Sequence, residues 1–285
     1  MQHPSFTLMA AHGEGTRLPR PGGYVVLSRL PGGRSAIRAL APSLKYVLEG
    51  EEVYEINGRS RRLRPGEFLL VEAGSRVEVS TPRPETTTGM CIYFGGGAAA
   101  AFVDPALCLT GAIAGTAADP LSPLLDRHAR HLARNPEEGP DLAARIVAEA
   151  ERGASAFLAR FNERLERLRS LKYSTRVETL QRVERARAFI HANAGRSIFL
   201  EEVAAHAALS RFHLTRSFAE AFGVPPLAYH RSLRLEAAAN LLRSDAASAT
   251  QVSEQLGYAS LSAFSRAFRQ RFGVPPSRLA PEKAA

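Results

Sequence analysis

Arg216 and Arg266 occupy equivalent places in two copies of one pattern, and a guanidinium can bond both acceptors of a guanine edge at once. The copies are SRFHLTRSFAEAFGVPP, Ser210 to Pro226, and SLSAFSRAFRQRFGVPP, Ser260 to Pro276. Ser210, Arg216, Phe218 and the whole FGVPP string recur at one constant offset. Each copy describes a helix opened by a Ser N-cap, carrying Arg on its second turn, closed by Gly and restarted by Pro. Two copies imply two similar targets.

The elements that must position these side chains are short helices set before each copy. Phe199 to Ala207 has Leu200, Val203 and Ala204 on one face; Thr250 to Leu256 has Val252 and Leu256 inward. Ala208 and Gly257 are small enough for a sharp bend, so each pair reads as a helix-turn-helix, the geometry that sets a helix into a DNA major groove. Between the units, Pro225 to Ser244 predicts one unbroken helix with Leu227, His230, Leu233, Leu235, Ala238, Leu241 and Leu242 as its buried stripe. At about 1.5 Å per residue it spans roughly 30 Å, close to one DNA turn. Phe218, Phe222, Phe268 and Phe272 belong to the core on this reading.

The span from Thr179 to Leu279, closing with GYASLSAFSRAFRQRFGVPPSRL, resembles the DNA-binding domain of the AraC/XylS family of bacterial transcription regulators. The resemblance implies seven helices and two helix-turn-helix units. It also places base-reading positions on Arg211, Phe212, Thr215 and Arg216 in the first unit, and on Leu261, Ser262, Ser265 and Arg266 in the second. Arg216 and Arg266 carry the hydrogen bonds; Phe212 and Leu261 can offer thymine methyls only apolar contact. The second unit, poorer in polar groups, is expected to lean on phosphate contacts from Arg269 and Arg271. Ser253 departs from the small apolar residue usual there in the family.

Charge sits where this reading needs it. From Lys172 to Ala285 there are 16 Lys and Arg against 9 Asp and Glu, and before Lys172 the balance is 21 against 19, within a formal net charge of +9 for the chain. Such a surplus steers a protein to phosphates and makes affinity fall with salt. The 45% hydrophobic and 23% charged composition is that of a soluble globular protein of two domains or slightly more. No apolar run reaches the roughly 18 residues of a membrane span, and the N-terminus has no leader pattern, so a cytoplasmic protein is expected. Cys91 and Cys108 form no metal-ligand pattern.

The first hundred residues change period. YVVLSRL, SLKYVLEG, EVYEING, RSRRLR, EFLLVEAG, RVEVS and GMCIYF are short β-rich runs, and Asn57-Gly58 suits a two-residue type I′ hairpin. Their order resembles the cupin barrel that AraC-type regulators carry at the N-terminus. No His lies between Gly22 and Phe94, so the imidazoles of a metal-cupin enzyme are missing and neither a metal nor another cofactor is expected. Tyr46, Leu48, Tyr54, Ile56, Phe68 and Leu70 are the candidate effector-lining residues, although alternation alone leaves open which face points inward. Arg59, Arg61, Arg62 and Arg64 read as a solvated strand edge, with recognition of an anionic effector as the alternative.

Between the two halves, LSPLLDRHARHLARN predicts a short helix bearing His128 and His131, and the run beginning PDLAARI a long one. Leu142, Ile146, Ala150, Phe157, Phe161, Leu165 and Leu168 give the long helix an apolar stripe, fit to pack on the barrel or on a second chain. The resemblance tips this towards dimerisation. Thr175 with Glu178 reads as a capping box opening the next domain.

The expected architecture is therefore α+β and multidomain. It has an N-terminal arm (1–20), a cupin-like sensor barrel (21–97), a helical linker and dimerisation region (98–172), and an all-α DNA-binding domain (173–285). The last holds helix-turn-helix units at about 199–222 and 250–272. The function it implies is a transcription activator, a homodimer on double-stranded promoter DNA in contact with RNA polymerase, controlled by a small-molecule effector. Two alternatives stay open: a regulator whose barrel only dimerises or binds a protein, and a metal-independent cupin enzyme fused to a DNA-binding domain, with Glu55 and Glu72 as its inward carboxylates.

Overall fold

The computed structural model describes residues 5–10, 23–38, 41–82, 86–95, 112–116, 118–169, 172–243 and 248–279. His3, His12, Cys108 and the Gly/Ala run at 96–101 lie outside the described residues. The chain divides into two units, Met1–Glu166 with Leu171–Val177, and Arg167–Ser170 with Glu178–Ala285.

Among the described residues the first unit holds ten strands: β1 (Ser5–Met9), β2 (Tyr24–Leu30), β3 (Gly33–Arg38), β4 (Ser43–Glu49), β5 (Glu52–Ile56), β6 (Arg59–Leu63), β7 (Phe68–Val71), β8 (Arg76–Thr81), β9 (Thr87–Tyr93) and β10 (Ala112–Gly115). They form two sheets, β1-β2-β9-β4-β7-β10 and β3-β8-β5-β6, rather than one hydrogen-bonded ring. Residues expected to lie outside the barrel supply both edges of the larger sheet. β1, from the arm, pairs parallel with β2, and β10 pairs antiparallel with β7. Asn57 and Gly58 carry φ of 51° and 77° between β5 and β6, the two positive values a type I′ turn requires.

One face of the larger sheet meets the smaller sheet. Val47, Leu69 and Val71 share a core with Tyr54, Ile56, Leu63, Val77 and Val79. The opposite face is covered by two helices, α1 (Leu121–Arg134) and α2 (Gly139–Arg167). The Tyr46 hydroxyl donates to Asp126 on α1 at 2.9 Å, and the Phe68 ring stands edge-on to Phe157 of α2 at 5.0 Å. β4 is therefore buried on both sides, and every residue of SLKYVLE except Glu49 is buried, Ser43 and Lys45 included.

The α2 stripe is occupied within the chain. Ile146, Ala150, Phe157, Phe161 and Leu165 are all buried, so of the two packings open to this stripe, on the barrel or on a second chain, these five residues are taken up within the chain's own core. His128 and His131 each take a different glutamate, Glu149 at 2.9 Å and Glu138 at 2.8 Å, and do not converge. Arg145 joins His128 on Glu149 and holds that carboxyl down to about 2.

The second unit is helical: α3 (Tyr173–Ala192, from Glu178 onward), α4 (Leu200–Ala207), α5 (Arg211–Phe222), α6 (Pro226–Arg243), α7 (Ala249–Gln255), α8 (Leu261–Phe272) and a closing 3₁₀ turn at Pro276–Arg278. The resemblance implied seven helices; six α-helices and that single turn stand among the described residues. α3 starts at Tyr173, two residues before the expected capping Thr175, and Glu178 instead pairs with Arg182 one turn on. The repeat survives in the packing. Phe218–Phe222 and Phe268–Phe272 both stack at 4.6 Å, with interplanar angles of 48° and 47°.

Candidate functional site

Each helix pair turns where the sequence placed a small residue. Ala208 adopts φ 52° and Gly257 φ 65°, both left-handed, which reverses the chain before the next helix. Ser210 then accepts a hydrogen bond from the His213 amide, and Ser260 from the Ala263 amide. These caps fix where α5 and α8 begin, hence which residues emerge together on their outer faces.

Arg211, Phe212 and Arg216 are exposed on α5 and Thr215 is half-buried; Leu261, Ser262 and Arg266 are exposed on α8 and Ser265 is half-buried. Both sets follow the same spacing and form one face per helix. Phe212 at 72% and Leu261 at 42% exposure are large apolar side chains left in water, while Phe218 and Phe264 on the opposite faces are fully buried. A helix that presents an aromatic ring and two guanidiniums outward is built for a partner rather than for its own core.

The guanidiniums differ in their settings. Arg216 Nε meets Glu220 Oε1 at 3.1 Å and Arg211 meets Glu201 at 2.7 Å. Arg271, expected at the phosphates, bonds Glu236 of α6 at 2.9 Å, since the two residues come together only once α8 has folded onto α6. Arg266 and Arg269 are exposed.

The expected effector residues fall on different sides of the larger sheet. Tyr54 and Ile56 point into the space between the sheets, whereas Tyr46 and Phe68 point to α1 and α2. Leu70 pairs in register with Leu44 on the helix-covered side, and Leu48 is buried at the irregularity between Val47 and Glu49. β6 is an edge strand, and Arg62 and Arg64 are drawn to Glu51 at 2.8 and 3.8 Å.

Comparison with known proteins adds two matches. Residues 43–172 fit the model of the AraC-like ligand binding domain, and residues 203–281 that of a helix-turn-helix domain. The chain joins an AraC-like ligand-binding domain to a helix-turn-helix domain. Its relatives include the HTH-type transcriptional regulator GbdR of Pseudomonas aeruginosa, 35% identical over 31% of this chain and 24% of that protein. Another is the RCS-specific HTH-type transcriptional activator RclR of Escherichia coli, 34% identical over 29% of each. The matched segment thus spans about a quarter of the length of GbdR. Among solved structures, the C-terminal domain of AraT from Geobacillus stearothermophilus is 28% identical over 36% of this chain and 87% of that one, with a TM-score of 0.34. ToxT from Vibrio cholerae is 13% identical over 92% of this chain and 98% of that one, also at 0.34.

Inside the AraC-like domain lies a polar cluster that the sequence reading missed. Lys45 is buried and donates to the Tyr93 hydroxyl at 2.7 Å, with its ammonium 4.1 Å from the centre of that ring. Glu52, also buried, accepts from the Tyr54 hydroxyl. Burial pushes the Glu52 carboxyl up and, opposed by Lys45, takes the Tyr93 phenol to about 12. Glu55, offered as an inward carboxylate, is exposed and Glu72 half-buried; the inward one is Glu52, of opposite parity to Glu55 on β5. The available signal was the presence of Lys45 and Glu52 in strands whose neighbours are apolar.

Proposed function

We propose that the chain is a sequence-specific transcription regulator whose two helix-turn-helix units read a bipartite promoter site under control of an effector held by the AraC-like domain. The observation that carries this reading is the duplicated outward face, Arg211, Phe212, Thr215 and Arg216 on α5 and Leu261, Ser262, Ser265 and Arg266 on α8, each behind a Ser cap and a left-handed turn residue. α6 separates the two units with 18 helical residues, about 27 Å at the standard rise, against about 34 Å for a DNA turn. That is the scale at which two recognition helices on one chain enter successive major grooves.

Arg216 and Arg266 bond guanine edges on this reading, Phe212 and Leu261 touch thymine methyls, and Arg269 meets phosphate. The protein acts as an activator in contact with RNA polymerase in the cytoplasm and works as a homodimer, whose contact surface lies elsewhere than the buried α2 stripe. The effector favours the DNA-competent arrangement by binding it more tightly than the other. No catalytic step and no cofactor are assigned. No described helix is long and apolar enough to cross a membrane.

The test is selection of genomic fragments by the full-length protein at near-physiological salt, followed by footprinting with and without Arg216→Ala. Recovery of paired half-sites about one turn apart supports the reading. Recovery of salt-sensitive, sequence-independent binding alone overturns it.

A further inference from the structure

The turn of each helix-turn-helix unit is met by an arginine from the long helix before it, and the two turns are held differently. In the first unit Arg182 of α3 donates to the carbonyl of the left-handed residue Ala208 at 3.0 Å and to Glu178 at 2.6 Å. In the second, Arg234 of α6 reaches the left-handed residue Gly257 and lays its guanidinium over the Tyr258 ring, 5.1 Å from the ring centre. The Nε and Nη2 of Arg234 and the Tyr258 hydroxyl are buried with no hydrogen-bond partner among the described residues, and no carboxylate there pairs with the guanidinium. Burial disfavours its charge, and Tyr258 opposes that. Hydrogen bonds therefore do not account for the place of Arg234; the contact between cation and ring does.

This contact stands where three parts of the helical unit meet. A Cβ at Gly257 would lie 3.9 Å from Arg234 Nη2 and 3.9 Å from Ser197 Oγ, so the loop before α4, the connecting helix α6 and the turn before α8 converge there. From Tyr258 the contacts run along the inner face of α8. Its ring is 5.2 Å from that of Phe264, which is 5.5 Å from Phe268, and both phenylalanines are fully buried. Those two share a core with Leu235, Ala238 and Leu242 of α6, and Arg234 on Tyr258 fixes where α8 enters it. At the far end of α8 the tie to α6 is Arg271 with Glu236, an exposed pair of little energy.

We propose that Arg234 and Tyr258 are positioning residues that set the angle between the two reading faces, and with it the half-site spacing the protein accepts. This rests on the reading of the two units as a bipartite DNA reader and deepens it. α6 carries the chain from the first unit to the second, so its grip on the second turn decides where Arg266 stands relative to Arg216. One extra base pair turns the second half-site by roughly 35° about the duplex axis, so a fixed angle between the faces makes the spacing strict and a loose angle makes it tolerant.

The experiment uses the full-length chain with Arg234→Met, Arg234→Lys, Tyr258→Leu and Tyr258→Phe. Nitroxide labels at His213→Cys and Gln270→Cys, both exposed, in a Cys91→Ala and Cys108→Ala background, report the distance between α5 and α8 without DNA by double electron–electron resonance. Binding is then measured on duplexes with the selected half-sites at their native spacing and about one or two base pairs to either side, and on a duplex that keeps the first half-site alone. One narrow distance is expected in the parent, in Arg234→Lys, which keeps a cation on the ring, and in Tyr258→Phe, which keeps the ring. Arg234→Met and Tyr258→Leu are expected to broaden or shift it. The same two variants are expected to lose a roughly tenfold preference for the native spacing while binding to the first half-site alone stays unchanged. Circular dichroism confirms folding; should Arg234→Met not fold, Tyr258→Leu against Tyr258→Phe carries the same comparison. Unchanged distances and an unchanged spacing preference in the folded variants overturn the proposal. So does an equal loss on every duplex, the single half-site included, or a Tyr258→Phe that behaves like Tyr258→Leu. Distances that respond when no specific DNA site is recovered sink only the regulator reading, and specific sites with unresponsive distances sink only the positioning role.

Discussion

Arg216 Nε and Glu220 Oε1 stand 3.1 Å apart across one turn of α5, whereas the matching position to Glu220 on α8, four residues after Arg266, is Gln270. Glu220 also faces Arg169 at 3.9 Å and is itself only 16% exposed. The first guanidinium is therefore oriented and partly neutralised before any DNA arrives, and the second is not. Glu220→Gln is expected to raise affinity for random duplex, steepen the salt dependence by about one counterion, and lower the ratio of specific to random binding. Anisotropy titrations on operator and random duplexes over a salt series measure all three.

Arg216→Ala is expected to cost about 1 to 3 kcal/mol at one half-site and relax base preference there, and Arg266→Ala to do so at the other half-site with a smaller loss. Competition with operators mutated in one half at a time assigns each Arg to its half. Equal losses on specific and random DNA in both variants mean that neither reads a base.

Gly257 holds φ 65°, and a Cβ added there would meet nothing nearer than 3.9 Å. Gly257→Ala therefore isolates backbone strain, expected at about 1 kcal/mol of lost stability in the helical unit. Chemical denaturation followed by helical circular dichroism reads it. Ala208 pays a similar cost in the native chain at φ 52°, so Ala208→Gly is expected to be neutral or slightly stabilising.

At Gly89 the constraint is space. A Cβ would stand 3.0 Å from Glu52 Oε1, 3.1 Å from the Tyr46 carbonyl and 3.2 Å from Ser28 Oγ. Gly89→Ala is expected to displace the Glu52 carboxylate and cost the β-rich unit about 1 to 3 kcal/mol. The readout is the unfolding transition of that unit, with Gly257→Ala as the control that leaves it in place.

The Glu149 carboxyl is held down to about 2, first by its bond from Arg145 and then by that from His128. A carboxylate depressed in the folded state stabilises fully above its ordinary value near 4.5 and loses that contribution as the pH falls through the folded value. Glu149→Gln is therefore expected to lower the melting temperature at neutral pH and to flatten its decline between about pH 4.5 and 2. Parallel melting curves that differ by the same amount at every pH would show that the carboxylate's charge contributes nothing.

Much of the helical half was legible because its signals are local. A Ser cap, a turn residue able to reach positive φ, a closing Gly and a restarting Pro act within a few residues, and their duplication in Ser210–Pro226 and Ser260–Pro276 tied the two units together before any packing was known. The β-rich half was legible as strands but not as faces. β4 carries Leu44 and Tyr46 towards the helices and Ser43, Lys45 and Val47 towards the smaller sheet, and both sets are buried. An alternation argument needs one wet face to set its phase, and here neither face is wet.

By itself, the sequence determined the element types, the Ser210 and Ser260 caps, the repeat and the shared helical face of Arg211, Phe212, Thr215 and Arg216 with their counterparts on α8, since all of these follow from propensities and periods of a few residues. Only the tertiary structure decided that Lys45 and not the β6 arginines stands inside, that Glu52 and not Glu55 is the buried carboxylate, that Arg271 is held by Glu236, and that α2 spends its stripe on its own chain. Each of those depends on which distant element covers which face. Burial and pairing are properties of contacts between residues far apart in the chain, and strand or helix period alone leaves them open.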